Sequence, residues 1–522
     1  MRITRTSISA FVVLSLALPA CSSGVPPESM SSETAVVDTE SPLRSAAKVT
    51  TTVQPELGTE QVNGQPFVMD GPYEAPALPS DQTTHSKADL QANPTFLSGF
   101  SVPTSMVLQY ELNCDPQGAT SSTHVVVLCT RQLGFFTRAG TLLSQQTFAN
   151  FFSPIGGSTP GIFYNDTRAL WDQYRQRFWV TAQGQASGAR ARLFIAVSKT
   201  SNPTQGWWLY ARDAIGSDCS TCNPPRLPTD GIDYQQIGIS RDRFWFNNRA
   251  GNYFVAQHFD ANAAANGQGP SGWIWWDLTN PDGNPVSRMI PTKHHDQTDA
   301  QAFMVDRYLS NHIELWTAAN ATTNPGALTR TDITLPNTFV DNVNGRQPGT
   351  TQLLDFTRLA GDILSSSAYR NDRLVFVASQ RYRWPGTAAD SSLIRLVMLR
   401  PSDKAVITDL LFGSPDIDYG YPSVDVNVNN VFGITFTRTS SSIKPEMRFM
   451  TLASDGTHSG STLLTGSSGV LTSAAQRQFD LQVWSDLSEV SADPSNDGSF
   501  WAFHQNVPVQ DKFGMYVAHV NP

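Results

Sequence analysis

The sequence predicts an all-β fold, a seven-bladed β-propeller preceded by a disordered tether. Three observations carry that expectation. The first is a pattern repeated from about residue 115 to the C-terminus, in which an acidic residue leads into a short strand, a polar turn and an aromatic strand. Its clearest copies run from Asp486 to Phe503, from Asp233 to Phe246 and from Leu170 to Val180. With Val126, Phe178, Phe244, Leu315, Val375, Phe432 and Phe500 as anchors, the steps are 52, 66, 71, 60, 57 and 68 residues. A four-stranded blade usually takes roughly 40–50 residues, so these are blades with long loops. The second observation is that strands inside each unit are short, aromatic or β-branched, and bounded by turn residues. The third is compositional: residues 22 to about 95 are rich in Ser, Thr, Pro, Glu and Gln and contain no Trp. Such a stretch buries too little apolar surface to offset the entropy of ordering it.

The N-terminus reads as an export signal. Arg2 and Arg5 precede an apolar run from Ile8 to Leu18, too short to span a bilayer stably. Leu18-Pro-Ala-Cys21 resembles a bacterial lipobox, in which the Cys is acylated and becomes the mature N-terminus. Ser22 after it, by resemblance to Gram-negative lipoproteins, points to the outer membrane. The expected organisation is therefore a signal peptide over 1–20, a lipid-anchored disordered linker over 21–98 and a propeller over 99–522. The acyl chains hold a soluble domain on a membrane surface, and the domain is expected to be monomeric.

The next units can be read strand by strand. In the unit after residue 229, Gln236–Ser240 is the inner strand, Arg243–Phe246 the second, Tyr253–Gln257 the third and Gly272–Leu278 the outer. The preceding unit places Leu193–Val197 third and Gly206–Tyr210 outer. The aromatic second strands are expected to pack between blades. The last unit runs out of chain after its third strand, Phe513–Val520. An open blade edge leaves unpaired backbone groups, so an N-terminal strand, Met106–Tyr110, is expected to close the ring.

Charge limits the partners. The formal net charge is −9 and the pI about 5.5, without a Lys/Arg cluster, which argues against nucleic acid. Of five Cys, Cys21 goes to lipid. Export permits disulfides, and Cys114 with Cys129, and Cys219 with Cys222, are expected to pair. The turn residues round Cys219-Ser-Thr-Cys222 fit a loop staple better than a redox pair, and no second Cys pair at metal spacing suggests zinc.

At this level the chain resembles a group of secreted bacterial β-propeller proteins. The residues that carry the resemblance are Asp115-Pro-Gln-Gly-Ala119, Ala196 to Tyr210, and Trp484-Ser-Asp486 with Asp493 to Trp501; it covers about 400 residues. The resemblance implies the fold and no reaction, so function has to be read from a site.

The candidate site is a ring of polar residues where inner strands begin: Asp172, Asp233, Asp299, Asp418 and Asp486, with His294, His295, Tyr421 and Trp484. Propeller loops of this kind converge on the channel mouth. Clustered carboxylates there would bind a cation or raise one another's pKa, and Tyr421 and Trp484 would stack on a sugar. The competing expectation is that each Asp caps its own turn. Adjacent His294 and His295 on an extended segment point to opposite faces, so one metal cannot easily take both; either would serve as a base. Asp493-Pro-Ser-Asn-Asp-Gly498 lacks the bidentate Glu of a calcium loop and reads as a hairpin turn. Neither a nucleophile elbow nor a His-Glu-x-x-His motif is present, and Ser454-Asp-Gly-Thr457 is only a fragment of a sialidase box. No resident metal or other cofactor is implied, apart from the cation that the rim would accept. The expectation is a binding or scaffold propeller for a carbohydrate or protein partner. The alternative is a polysaccharide lyase or glycoside hydrolase using His294 or His295 with the rim acids.

Lipidation is directly testable. Cys21→Ala should leave the protein unprocessed or release it from the membrane fraction; membrane partitioning that matches the wild type would refute the anchor.

Overall fold

The structure is a computed structural model. It describes residues 93–522, apart from 108–113, 130, 187–188, 215–218, 222–224, 228–229, 252, 277, 287, 297–299, 310, 320–327, 358–363, 385, 474–476, 479–480, 485–486 and 496–497, together with four strands before residue 93. Leu18-Pro-Ala-Cys21, Cys222, Asp299 and Asp486 lie outside the described residues.

Short antiparallel sheets are arranged radially in an all-β propeller, with very few helical turns. Their innermost strands are Pro116–Thr120 (β1), Phe163–Asp172 (β2), Ile232–Ile239 (β3), Ile290–Pro291 (β4), Lys293–His294 (β5), Leu364–Arg370 (β6), Ile417–Val426 (β7) and Glu489–Ala492 (β8). Neighbours along this series touch in turn, and β8 touches β1, so the circuit closes.

Second strands explain why the sheets stack. In Arg177–Gln185, Phe178, Val180 and Ala182 pack against Val126 and Leu128 of the sheet before. Trp179, between them, packs against Phe244 and Phe246 of the sheet after, its ring centroid 4.4 Å from that of Phe244. Alternation of side chains along a strand thus feeds two cores, one on each face. Phe-Trp-Val and Phe-Trp-Phe are apolar at both parities because neither face of the sheet meets water. Of the 12 Trp, nine are buried and Trp208, Trp273 and Trp276 are half-buried, which removes the reading of an exposed stacking platform.

The blade count differs from the expected seven. Five sheets stand as discrete blades of four or five strands, whereas the units built on β3 and β6 are joined edge to edge in one eleven-stranded sheet. The join is β5, which pairs in parallel with β3 (Ile239 opposite Lys293) and with β6 (Lys293 opposite Ala368, His294 opposite Tyr369). The segment before it, β4, pairs with Gln301–Leu309. Chain expected to be a loop between units therefore enters the axis and bonds to both neighbours.

Closure uses an N-terminal strand, Thr95–Ser101, rather than the expected Met106–Tyr110, of which only Met106 and Val107 are among the described residues. Thr95–Ser101 pairs antiparallel with the last strand, Lys512–Asn521, and Phe100 stacks on Phe136 of the first sheet, 5.2 Å between centroids. Met106 is instead buried in the joint between first and last sheets, under Gly134, where a Cβ would collide with its thioether. Within residues 21–98, expected as a disordered linker, Ala35–Val37, Thr59–Val62, Gln65–Val68 and Asp70–Ala75 pair with outer edges of four units. Edge strands with unpaired N–H and C=O groups recruit such partners; composition alone does not reveal this.

Cys114 and Cys129 form the expected disulfide, tying the chain before β1 to the strand beside it. Cys219 is also disulfide-bonded.

Two truncations test closure. Removing residues 22–92 should change stability far less than removing 22–102, which deletes the closing strand and the Phe100 side chain. The longer deletion also strips the half-buried Phe100 from Phe136 and leaves the Lys512–Asn521 edge unpaired, so its midpoint in chemical denaturation should fall well below that of the shorter one. Equal stability of the two would show that Thr95–Ser101 does not hold the ring.

Candidate functional site

Three inner strands carry a β-bulge near their start, each with a non-Gly residue at positive φ: Asp166 in β2 (45°), Tyr234 in β3 (55°) and Tyr421 in β7 (50°). Bulges re-aim side chains at sheet margins, and Asp tolerates this backbone better than most residues. The bulge brings Asp166 next to the following strand, where its Oδ2 accepts the Tyr234 N–H at 2.6 Å and the Gln183 Nε2–H at 2.7 Å. Burial, then the nearby Asp233 and Asp115, push its carboxyl up to about 7, against the pull of Arg168 and the Tyr234 N–H. Asp233 itself is exposed. A half-buried acid whose carboxyl is pushed up to about 7 beside an exposed carboxylate is the strongest acid–base feature of the rim among the described residues.

The expected ring of acids is not one ring. Asp172 ends β2, whereas Asp233 and Asp418 lie near the starts of β3 and β7. Asp172 is fully buried and accepts the N–H groups of Tyr174 (2.9 Å) and Arg175 (3.2 Å), the Arg175 guanidinium and the Trp179 indole (3.1 Å). Asp493 repeats this arrangement with the Ser495 N–H (2.9 Å), Arg138 and the Trp501 indole (2.9 Å). Burial opposes ionisation of Asp493, but His519 and Arg138 hold its carboxyl well below the usual range. These two are turn caps that also staple a Trp; in the expected 493–498 turn Pro494 and Ser495 are in a turn and the Asp493 N–H donates to the Ser499 carbonyl at 2.9 Å, while 496–497 lie outside the described residues. By position at the bulge the β2 counterpart of Asp233 is Asn165, and the residue that corresponds to Tyr234 is Asp166, six residues before Asp172. Its signal was Asn165-Asp166, a pair suited to positive φ inside an otherwise regular strand.

Other candidates are likewise satisfied inside the fold. Asp418 is buried and receives the Arg346 Nε–H at 2.7 Å, the Arg346 backbone N–H at 2.9 Å and the Ser392 N–H at 3.2 Å. Tyr421 is buried, its hydroxyl donating to the Asp355 carbonyl at 2.7 Å. Trp484 is fully buried, its indole donating to Thr437 Oγ1 at 3.0 Å. Neither can stack on a sugar. His294 Nε2 accepts the Phe303 N–H at 3.0 Å, and its ring lies against Phe303 and Tyr369. It is a core histidine.

His295 faces the axis, as the opposite-face argument requires. Its Nε2 lies 2.6 Å from Asp425 Oδ1 and its Nδ1 3.1 Å from Gln173 Oε1. Two residues earlier Lys293 reaches Glu489 Oε1 at 2.5 Å and the Val490 carbonyl at 3.1 Å. Burial favours protonation of Asp425, but His295 and Lys293 outweigh it and hold the carboxyl at about 2. Burial pushes Glu489 upward despite Lys293. Sequence reasoning missed Asp425, Glu489 and Gln173, because their only relation to Lys293 and His295 is across the ring. Small cavities flank Lys293, one lined by His295, Asp425 and Glu489, the other by Arg168, Gln236 and Ser366. Each leaves room for about one water, and not for a sugar ring. Among the described residues no group of three His, Cys, Asp or Glu is arranged to hold a metal ion.

No protein-family model matches the chain, and no curated protein matches it. Solved structures similar to it include a Penicillium chrysogenum α-L-arabinanase complexed with arabinobiose, at 9% identity and a TM-score of 0.37, covering 82% of this chain and 99% of that one. A Hadza microbial sialidase matches at 8% identity and a TM-score of 0.35, covering 76% and 73%. TolB from Acinetobacter baumannii matches at 9% and 0.31, covering 77% and 78%. No substrate carries over at such scores, and the chemistry rests on this chain's own side chains.

Asp166 gives a pH test. Its folded pKa, about 7, lies above the ordinary 3.8, so ionisation favours the unfolded chain and stability falls as pH rises between those values. Asp166→Asn, which can still accept the Tyr234 N–H, should flatten that slope in denaturation midpoints from pH 4 to 7. An unchanged slope would show that Asp166 does not titrate there.

Proposed function

We propose that this protein is an exported lipoprotein, anchored through Cys21 in the outer membrane of a Gram-negative bacterium, whose monomeric propeller is a binding or scaffold module for a carbohydrate or protein partner. The observation that carries the non-catalytic reading is at the axis. The polar side chains there are spent on one another, Lys293 on Glu489 and His295 on Asp425, around space for little more than water. A general base has to reach the proton it removes, and these groups are already engaged. The partner would then sit on the loops and rims of the disc, not in the channel.

A second reading is favoured by one observation. Asp166, protonated near neutrality, and exposed Asp233 form the kind of pair whose separated pKa values mark an acid and a base. Under that reading the protein is a propeller glycoside hydrolase, with these two carboxylates replacing His294 and His295.

Both readings meet in one experiment. The protein is assayed against a panel of polysaccharides for binding and for release of reducing or unsaturated ends. The scaffold reading expects retention without turnover. Turnover that vanishes in Asp166→Asn would overturn it and establish the hydrolase.

A further inference from the structure

The bulges that re-aim Asp166 and Tyr234 also set the level of the residues after them. In β2 and β3 the ladder resumes at Arg168 and Gln236, each two residues beyond the residue of positive φ. The ladder of β6 resumes at Ser366 after its own register shift. These three side chains and Lys293 line one small cavity beside the axis. Arg168 is 5% exposed, and its Nε–H donates to the Gln235 carbonyl at 2.7 Å. Its Nη2 meets no acceptor, and among the described residues no carboxylate forms an ion pair with it. Gln236 is as deeply buried, and its Nε2 also meets no acceptor. The acids nearby are engaged elsewhere: Asp166 Oδ2 accepts from Tyr234 and Gln183, and Glu489 Oε1 from Lys293 and the Val490 N–H. On the serine wall, Ser366 Oγ donates to the Val424 carbonyl at 3.2 Å, and Ser367 Oγ lies 2.9 Å from Thr292 Oγ1. A guanidinium carries five N–H donors, and burying one without a counter-charge is costly.

We propose that this cavity, between β2, β3 and β6, is a binding site for a small monatomic anion of the halide class. Charge is the first reason. Of the ionisable groups that line it, Lys293 is matched by Glu489 and Arg168 is unmatched, so the lining carries one positive charge in excess. Donor geometry is the second. Arg168 Nη2 and Gln236 Nε2 come from adjacent inner strands at equivalent positions, and Lys293 Nζ, bonded to Glu489 Oε1 and the Val490 carbonyl, retains a third hydrogen. Size is the third. Room for about one water admits a halide and excludes phosphate, sulfate or a carboxylate. A water molecule there would accept from Arg168 and Gln236, but it would bring two hydrogens of its own and no charge. Leu170, Ile237 and Ile290 form the apolar remainder of the wall, and in such surroundings the attraction between an anion and Arg168 is stronger than in water. The bound ion would tie β2, β3 and the axial strand together. The site goes beyond the scaffold reading, since it takes no sugar and needs no macromolecular partner.

The test uses the full chain, with sodium bromide as the probe in crystals and sodium chloride in solution. Crystals grown in bromide should show an anomalous peak within hydrogen-bond reach of Arg168 Nη2 and Gln236 Nε2. Urea denaturation midpoints at fixed ionic strength should rise when chloride replaces gluconate, because an ion held only by the folded chain stabilises it by mass action. Arg168→Met should lose both the peak and the rise. Where that variant fails to fold, Gln236→Leu carries the test. It keeps the charge, removes one donor, and should need roughly tenfold more chloride for the same rise, the worth of one hydrogen bond to a charged group. Three results would each overturn the site: a water in the cavity of bromide-grown crystals, equal midpoints in chloride and gluconate, or a bromide peak with no shift in midpoint, which is binding at crystal concentration only. Polysaccharide binding or turnover moves none of these readouts, so the anion site and the scaffold reading fail separately.

Discussion

The fold depends on a strand at its axis. Ile290–Asp296 touches the walls through backbone pairing to β3 and β6, a backbone bond from Thr292 to Phe303, and side-chain bonds to β7 and β8. A propeller made only of stacked sheets is held by contacts between nearest neighbours. Here one segment joins sheets that are not neighbours, so displacement of any of them strains the same few bonds. Drawing Lys293 half out of water is costly, and the attraction of Glu489 offsets that cost only while geometry is held; the bond between His295 and Asp425 is lost on the same displacement. The charged axis thus rigidifies the ring by penalising departures from it.

Around that axis the energetics are those of a two-faced core. Each sheet contributes to apolar clusters on both sides, as Trp179 and Phe178 show by pointing into different ones. No sheet has a wet face to compensate for a missing neighbour, which makes the joint between first and last sheets as demanding as any other. Phe100, Met106 and the Cys114–Cys129 bridge all lie at that joint.

The polar residues divide by the same logic. Carboxylates at the far ends of inner strands, Asp172 and Asp493, meet turn N–H groups and an indole, and they serve the fold. At the bulged ends Asp418 is buried against Arg346, whereas Asp233 is exposed at the rim and, with desolvation, opposes the ionisation of half-buried Asp166. Similar spacing from an aromatic strand led to Asp172, whereas the carboxyl that the bulge sets against the next inner strand is that of Asp166. A one-residue bulge changes which side chain faces the rim without changing the hydrophobic pattern that the eye follows.

Alternation and turn residues are local properties, and local properties were legible. Gln236–Ser240, Arg243–Phe246 and Tyr253–Gln257 were readable as strands because Gly, Asn and Asp interrupt aromatic and β-branched runs at short spacing. The same is true of the Cys114–Cys129 pair on adjacent strands and of the need for an N-terminal closing strand. Tertiary structure decided which strand closes the ring, that β5 fuses two units into one sheet, and that Tyr421, Trp484 and Asp418 are buried. It also paired Lys293 with Glu489 and His295 with Asp425, residues separated by well over a hundred positions. Such pairings depend on where the ring places each inner strand relative to the axis, and a one-dimensional pattern carries the period of a strand but not the distance across a closed circle.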